Sequence, residues 1–167
     1  LNISTILFGF IWIGIMLGSL STLRNLPQIG FMITLSLFLS VWICDTSAFY
    51  FGKRFGNKKI LPYVSPNKTW VGTIAGLISS IVFMLLIYKF NFFNGFLSFI
   101  DILVIGLISG GIGQLGDWLE SLLKREAGVK DTSSLLMGHG GILDRFDSLI
   151  FSAPITLIYC NFFIKIV

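Results

Sequence analysis

Nine residues of this chain hold a histidine, two glycines, two aspartates and an arginine: His139-Gly140-Gly141-Ile142-Leu143-Asp144-Arg145-Phe146-Asp147. Asp144 and Asp147 stand three apart, which puts both carboxylates on one face if the stretch is helical. Two carboxylates on one face suit a hard divalent cation such as Mg²⁺, which takes oxygen ligands. Arg145 and His139 add cationic or proton-handling groups beside them. The pattern reads as a site for a metal-bound phosphate compound. A solvated loop leading into a helix, with Asp144 as its cap, accounts for the same residues without a ligand.

Three further polar clusters stand upstream. Asp45 lies inside an apolar run, at a depth where an unpaired charge costs about 2.5–3.5 kcal/mol, so it is expected to face the bundle interior. A buried interhelical hydrogen bond and a functional carboxylate both fit it. Lys53 and Arg54 follow, as lipid-phosphate contacts or as topology anchors. Ser65-Pro66-Asn67-Lys68-Thr69 reads as a helix entry, since Ser caps and Pro fits a first turn. The exposed amides there, with Lys68 and the Thr69 hydroxyl, would bind an anion. A snorkelling lysine beside an interfacial Trp70 is the other reading. In the third cluster Asp117, Glu120 or Ser121, and Lys124 share one helical face. Asp117 is the candidate metal ligand there, while an i,i+4 pair with Lys124 explains Glu120.

The elements that must position these groups are membrane helices. Hydrophobic residues make up 54% of the chain, charged residues 12%, and mean hydropathy is +0.88. Soluble domains carry about 25% charged residues. Spans of roughly 20 apolar residues are expected at about 6–23, 29–51, 71–88, 96–116 and 148–167. Their runs are continuously apolar rather than alternating, which argues against a closed barrel. The expected fold is therefore all-α, a polytopic transmembrane bundle of about five helices forming one domain over residues 1–167. Cys44 and Cys160 both fall in apolar runs, so no disulfide framework is expected. Asp101 is expected to meet the outer interface.

All basic residues except Arg24, Lys89 and Lys165 fall in or beside two loops, after the second and fourth spans. The positive-inside rule places both loops in the cytoplasm. The net charge of +4 is thus a topology and anionic-lipid signal. No aromatic-basic module for nucleic acid is visible.

Taken in order, these clusters resemble a known family. Ser121-x-x-Lys124-Arg125, Lys130-Asp131 and His139-Gly140-Gly141-x-x-Asp144-Arg145-x-Asp147 are similar to the signature of phosphatidate cytidylyltransferases, the CDP-diacylglycerol synthases. Asp45-Thr46-x-Ala48-Phe49, Gly52-Lys53 and Ser65-Pro66-x-Lys68-Thr69-Trp70 resemble that family too. Met137, Val71 and Ser47 depart from its usual Pro or Gly, Glu, and Gly. Members extend further at the N-terminus, so the chain, which begins with Leu1, reads as a C-terminal portion.

The resemblance implies that phosphatidate and CTP give CDP-diacylglycerol and pyrophosphate with Mg²⁺, on the cytoplasmic side of a bacterial inner membrane, with a homodimer as the family-level expectation. It implies metal ligation by Asp117, Asp144 and Asp147. Lys68, Lys124, Arg125 and Arg145 would clamp phosphates, with Asp45, Ser65, Pro66, Thr69, Ser121, Lys130 and Asp131 in the substrate site. His139 would orient a phosphate, act as acid or base, or simply stabilise the turn. A CTP-dependent polyprenol kinase and an ion-coupled transporter are the competing classes.

Overall fold

In the computed structural model, residues 2–133 and 141–164 are described. The chain opens with α1 (Ile3–Gly9), a π-helical stretch (Phe10–Leu17) and α2 (Ser19–Arg24). The long α3 (Gly30–Phe55) follows, then a hairpin of β1 (Lys59–Leu61) and β2 (Ser65–Thr69), then α4 (Trp70–Lys89). Next come α5 (Phe99–Leu107), a second π-helical stretch (Ile108–Ile112) and α6 (Gly113–Glu126). A 3₁₀ turn (Leu143–Arg145) leads into α7 (Asp147–Phe163).

Four helices among the described residues are long and apolar enough to cross a membrane: Ile6–Arg24, Gly30–Phe55, Trp70–Lys89 and Phe99–Glu126. The fifth expected span, at 148–167, corresponds to Asp147–Phe163, an apolar helix of 17 residues that is shorter than those four. The expected all-α membrane bundle is therefore what forms. The fourth helix runs ten residues beyond Gly116, where the apolar run ends, to Glu126. Its polar end carries Asp117, Glu120, Ser121 and Lys124 on regular helix, and that decides their spacing.

Helix α4 divides into a small-residue face and a lipid face. On α4, Gly72, Gly76, Ser80 and Met84 recur every four residues and are buried. Ile74, Ile78, Val82 and Leu86 recur at the same interval and stay about half exposed. Small residues let helix backbones approach in a medium that offers no hydrophobic drive for association. A Cβ on Gly72 would lie 2.6 Å from the Ala48 carbonyl of α3, so only glycine fits there. Buried polar bonds stitch the same interfaces: Ser40 to Ser109 at 2.7 Å and Ser80 Oγ to the Gly106 carbonyl at 3.0 Å. The apolar core gathers Ile33, Leu37, Met84, Ile102, Ile105 and Leu149.

Two local expectations are corrected. Ser65-Pro66 does not open a helix. It lies in β2, which pairs antiparallel with β1 through Lys59–Thr69 and Leu61–Ser65. The cap is Thr69, extended at φ −128° and ψ 153°, whose side chain accepts the Gly72 amide. Nor do Asp144 and Asp147 share one helical face. Phe146, at φ −114° and ψ 3°, separates the 3₁₀ turn holding Asp144 from α7. At the other end of the bundle Asp101 does more than meet an interface. It forms a capping box with Ser98, and its Oδ1 accepts Tyr159 Oη at 2.7 Å, tying α5 to α7.

Candidate functional site

The polar clusters converge at one end of the bundle. From β2, Lys68 reaches α6: its Nζ stands 2.8 Å from Asp117 Oδ1 and donates to Ser121 Oγ at 3.3 Å. Asp117 and Ser121 are one turn apart, so a single ammonium reaches both. Gly116 lets α7 come close: a Cβ there would lie 2.8 Å from the Asp147 carbonyl and 2.7 Å from the Phe151 ring. Asp147 begins α7, a favourable place for a carboxylate at a helix N-terminus, and its Oδ1 accepts the Ser148 amide at 2.6 Å.

Two adjoining cavities result, and Asp45 and Asp117 line both. The first, about 230 Å³, is walled by Ser65, Lys68, Thr69 and Gln114 among others. The second, about 300 Å³, adds Asp144, Arg145 and Asp147. Four carboxylates and two cationic side chains thus line the two adjoining cavities. Phe49, at 61% exposure, stands on the wall of the first cavity, and Trp42, also 61%, on that of the second. Both aromatic residues belong to the lipid-facing surface of α3, so the polar space meets an apolar flank.

Asp144 is held on every side. Lys124 Nζ lies 2.6 Å from its Oδ1. Its Oδ2 accepts the Thr132 amide at 3.0 Å, the Thr132 hydroxyl at 2.7 Å and the Gly141 amide at 2.6 Å. Burial acts to raise its pKa, but the Lys124 ammonium and these donors outweigh it and hold the carboxyl well below the usual carboxylate range. The expected i,i+4 pair of Glu120 with Lys124 is present at 3.3 Å. Glu120 is nevertheless buried, at 2% exposure.

The site therefore gathers Asp45, Ser65, Lys68, Thr69, Asp117, Ser121, Lys124, Asp144, Arg145 and Asp147. Pro66 is exposed on the hairpin and lines neither cavity. Arg125 is exposed and donates to the carbonyls of Val64, at 3.1 Å, and Val129, at 3.4 Å, away from both cavities. Its observed work is to clamp the hairpin turn to α6. Lys130 and Asp131 are exposed and line neither cavity. His139, Gly140 and Met137 lie outside the described residues.

The sequence reading missed Gln114 and Thr132. Gln114 donates to the Thr73 carbonyl at 3.1 Å and the Gly110 carbonyl at 2.6 Å, joining α6 to α4 at the floor of the first cavity. An amide inside an apolar run was the available signal. Thr132, an exposed loop residue, carried none.

Metal ligation is more constrained than spacing suggested. Among the described residues, no three His, Cys, Asp or Glu side chains stand close enough together to hold one ion as placed. Asp117 and Asp144 each carry a lysine ammonium. The donor chemistry nonetheless suits a hard cation, being carboxylate oxygen around one cavity.

The comparisons with known proteins point the same way. A model described as the cytidylyltransferase family matches residues 1–163. A phosphatidate cytidylyltransferase of Haemophilus influenzae is 41% identical over 130 residues, 77% of this chain and 45% of that protein. One from Staphylococcus saprophyticus is 46% identical over 126 residues, covering 75% and 48%. One from Staphylococcus aureus is 47% identical over the same length and shares. The chain spans about half the length of these curated relatives.

Proposed function

This chain belongs to the cytidylyltransferase family, and on that premise we propose that it transfers the cytidylyl group of CTP to phosphatidate, giving CDP-diacylglycerol and pyrophosphate. The observation that carries the reading is the pair of cavities sharing Asp45 and Asp117, polar within and flanked by lipid-facing Phe49 and Trp42. Such a space admits a soluble nucleotide from the polar end and a lipid headgroup from the side.

The phosphatidate phosphate oxygen attacks the α-phosphorus of CTP, and pyrophosphate leaves as its bond to that phosphorus breaks. The acceptor phosphate is itself the nucleophile, so the protein supplies position and charge. Lys68 and Arg145, on the cavity walls, hold phosphate oxygens and offset repulsion between two anionic substrates. Ser121 and Thr69 orient the hairpin that carries Lys68. Asp117, Asp144 and Asp147 would hold Mg²⁺, which when bound neutralises charge on the nucleotide phosphates. Both basic loops lie at this end of the bundle, which is cytoplasmic by the positive-inside rule.

The test uses membrane-embedded protein with phosphatidate, Mg²⁺ and CTP labelled at either the α- or the γ-phosphorus. Label from the α-position in lipid is expected. Transfer of the γ-label instead would make the protein a CTP-dependent lipid kinase and overturn the proposal.

A further inference from the structure

Lys124 sits between two carboxylates of unequal circumstance. Its ammonium is 2.6 Å from Asp144 Oδ1 and 3.3 Å from Glu120 Oε1. Asp144 Oδ2 already accepts three donors, from Thr132 and Gly141. Oδ1 is therefore the oxygen that can turn to another cation, and Lys124 occupies it. Glu120, by contrast, is 2% exposed and its Oε2 has no hydrogen-bond partner among the described residues. Buried acceptors are almost always satisfied, so an orphaned one calls for an explanation. A divalent cation and an ammonium cannot share Oδ1, because like charges at contact repel. An ammonium leaving Asp144 needs a partner within reach of its own flexible stem, and Glu120 lies one helical turn away on the same face.

We propose that Lys124 is an exchangeable counter-ion of Asp144, and that Glu120 is the positioning residue whose free Oε2 receives the ammonium when Asp144 engages a divalent cation. The proposal rests on the cation-dependent reading above and adds to it how the site switches between its two charge states. It also separates Glu120 from an ordinary surface i,i+4 pair. Such a pair would touch helix stability slightly and cation affinity not at all.

The test is Mn²⁺ binding to detergent-solubilised protein, followed by loss of the free-ion electron paramagnetic resonance signal. Glu120→Gln leaves the ammonium without its second seat, so it stays on Asp144 and competes with the ion. The Kd for Mn²⁺ should rise about 10–100-fold, the range for losing an outer partner of a metal ligand. Adding Lys124→Met to Glu120→Gln removes the competitor and should return the Kd to the parent value or below. If Glu120→Gln fails to insert, Glu120→Asp withdraws the carboxylate by one methylene and should weaken Mn²⁺ in the same way. Parent-like affinity in the inserted Glu120 variant, or a double variant as weak as Glu120→Gln, overturns the exchange. Parent protein that binds no Mn²⁺ overturns the cation-dependent reading, and the exchange with it.

Discussion

Replacing Lys68 by Met removes one ammonium from a cavity walled by Asp45 and Asp117. At 2.8 Å from Asp117 Oδ1, the gross attraction is about 6 kcal/mol at an effective dielectric near 20. The two side chains are 20% and 28% exposed, so solvent screening and desolvation remove much of that. Charge-assisted hydrogen bonds of this kind contribute about 1.5–3 kcal/mol net, which is the expected loss of stability. The effect on turnover should be larger. A preorganised cation facing phosphate charge is comparable with an oxyanion-hole donor, about 2.7–4 kcal/mol or roughly 10²–10³ in rate. Lys68→Arg sharpens the test. The compact ammonium serves Asp117 and Ser121 together, whereas a planar guanidinium presents its donors in a fixed fork. Arg should therefore impair turnover while inserting normally, with Met worse. The assay is transfer of α-labelled CTP into lipid, alongside thermal unfolding in detergent. An interfacial anchor needs charge alone, so a silent Arg variant and a mild Met variant would refute the assignment.

Gly116→Val should separate α6 from α7, because its Cβ meets the Asp147 carbonyl and the Phe151 ring; overpacking of about 1–3 kcal/mol should appear as a lower unfolding temperature together with lost cytidylyl transfer. Asp144→Asn should destabilise the protein by a margin that stays constant from neutral pH to about pH 5. The sign follows from the depressed pKa: the contribution is complete above the ordinary value of 3.8 and fades only as pH falls through the folded value, so a gap that closes already near neutrality would contradict it. Single cysteines at Lys58 and Lys130 should be labelled from the same side of the membrane, with Cys44 and Cys160 silent because both are buried; labelling from opposite sides would dissolve the shared site.

The membrane bundle was legible because hydropathy is local: a run such as Val71–Tyr88 declares itself without its neighbours. That the polar clusters after the second and fourth spans belong together was legible from where the lysines and arginines sit, and Lys68 meeting Asp117 and Arg125 meeting Val64 bring them to one end of the bundle. So was the pairing of Glu120 with Lys124, four residues apart on one helix. The hairpin was not legible. Ser65 and Thr69 are both competent helix caps, and local chemistry does not choose between them. The choice falls to Thr69 because β2 pairs with β1 and Arg125 of α6 holds the Val64 carbonyl, sixty-one residues away in the chain. Asp144 and Asp147 misled for a similar reason. Their spacing suited a helix, but Lys124 and Thr132 draw Asp144 into a turn that Phe146 ends.

By itself the sequence determined which residues are chemically capable, which segments are apolar enough to form membrane helices and which family the clusters resemble. Only the tertiary structure decided that Lys68 meets Asp117, that Asp147 comes beside α6, that Arg125 supports the hairpin outside the cavities, and that Glu120 is buried with one oxygen unpartnered among the described residues. The physical reason is the range of the forces concerned. Hydropathy and capping act within a few residues and leave periodic traces in the sequence. The distance between two carboxylates on different helices depends on how closely backbones pack at Gly72 and Gly116, which no local pattern records.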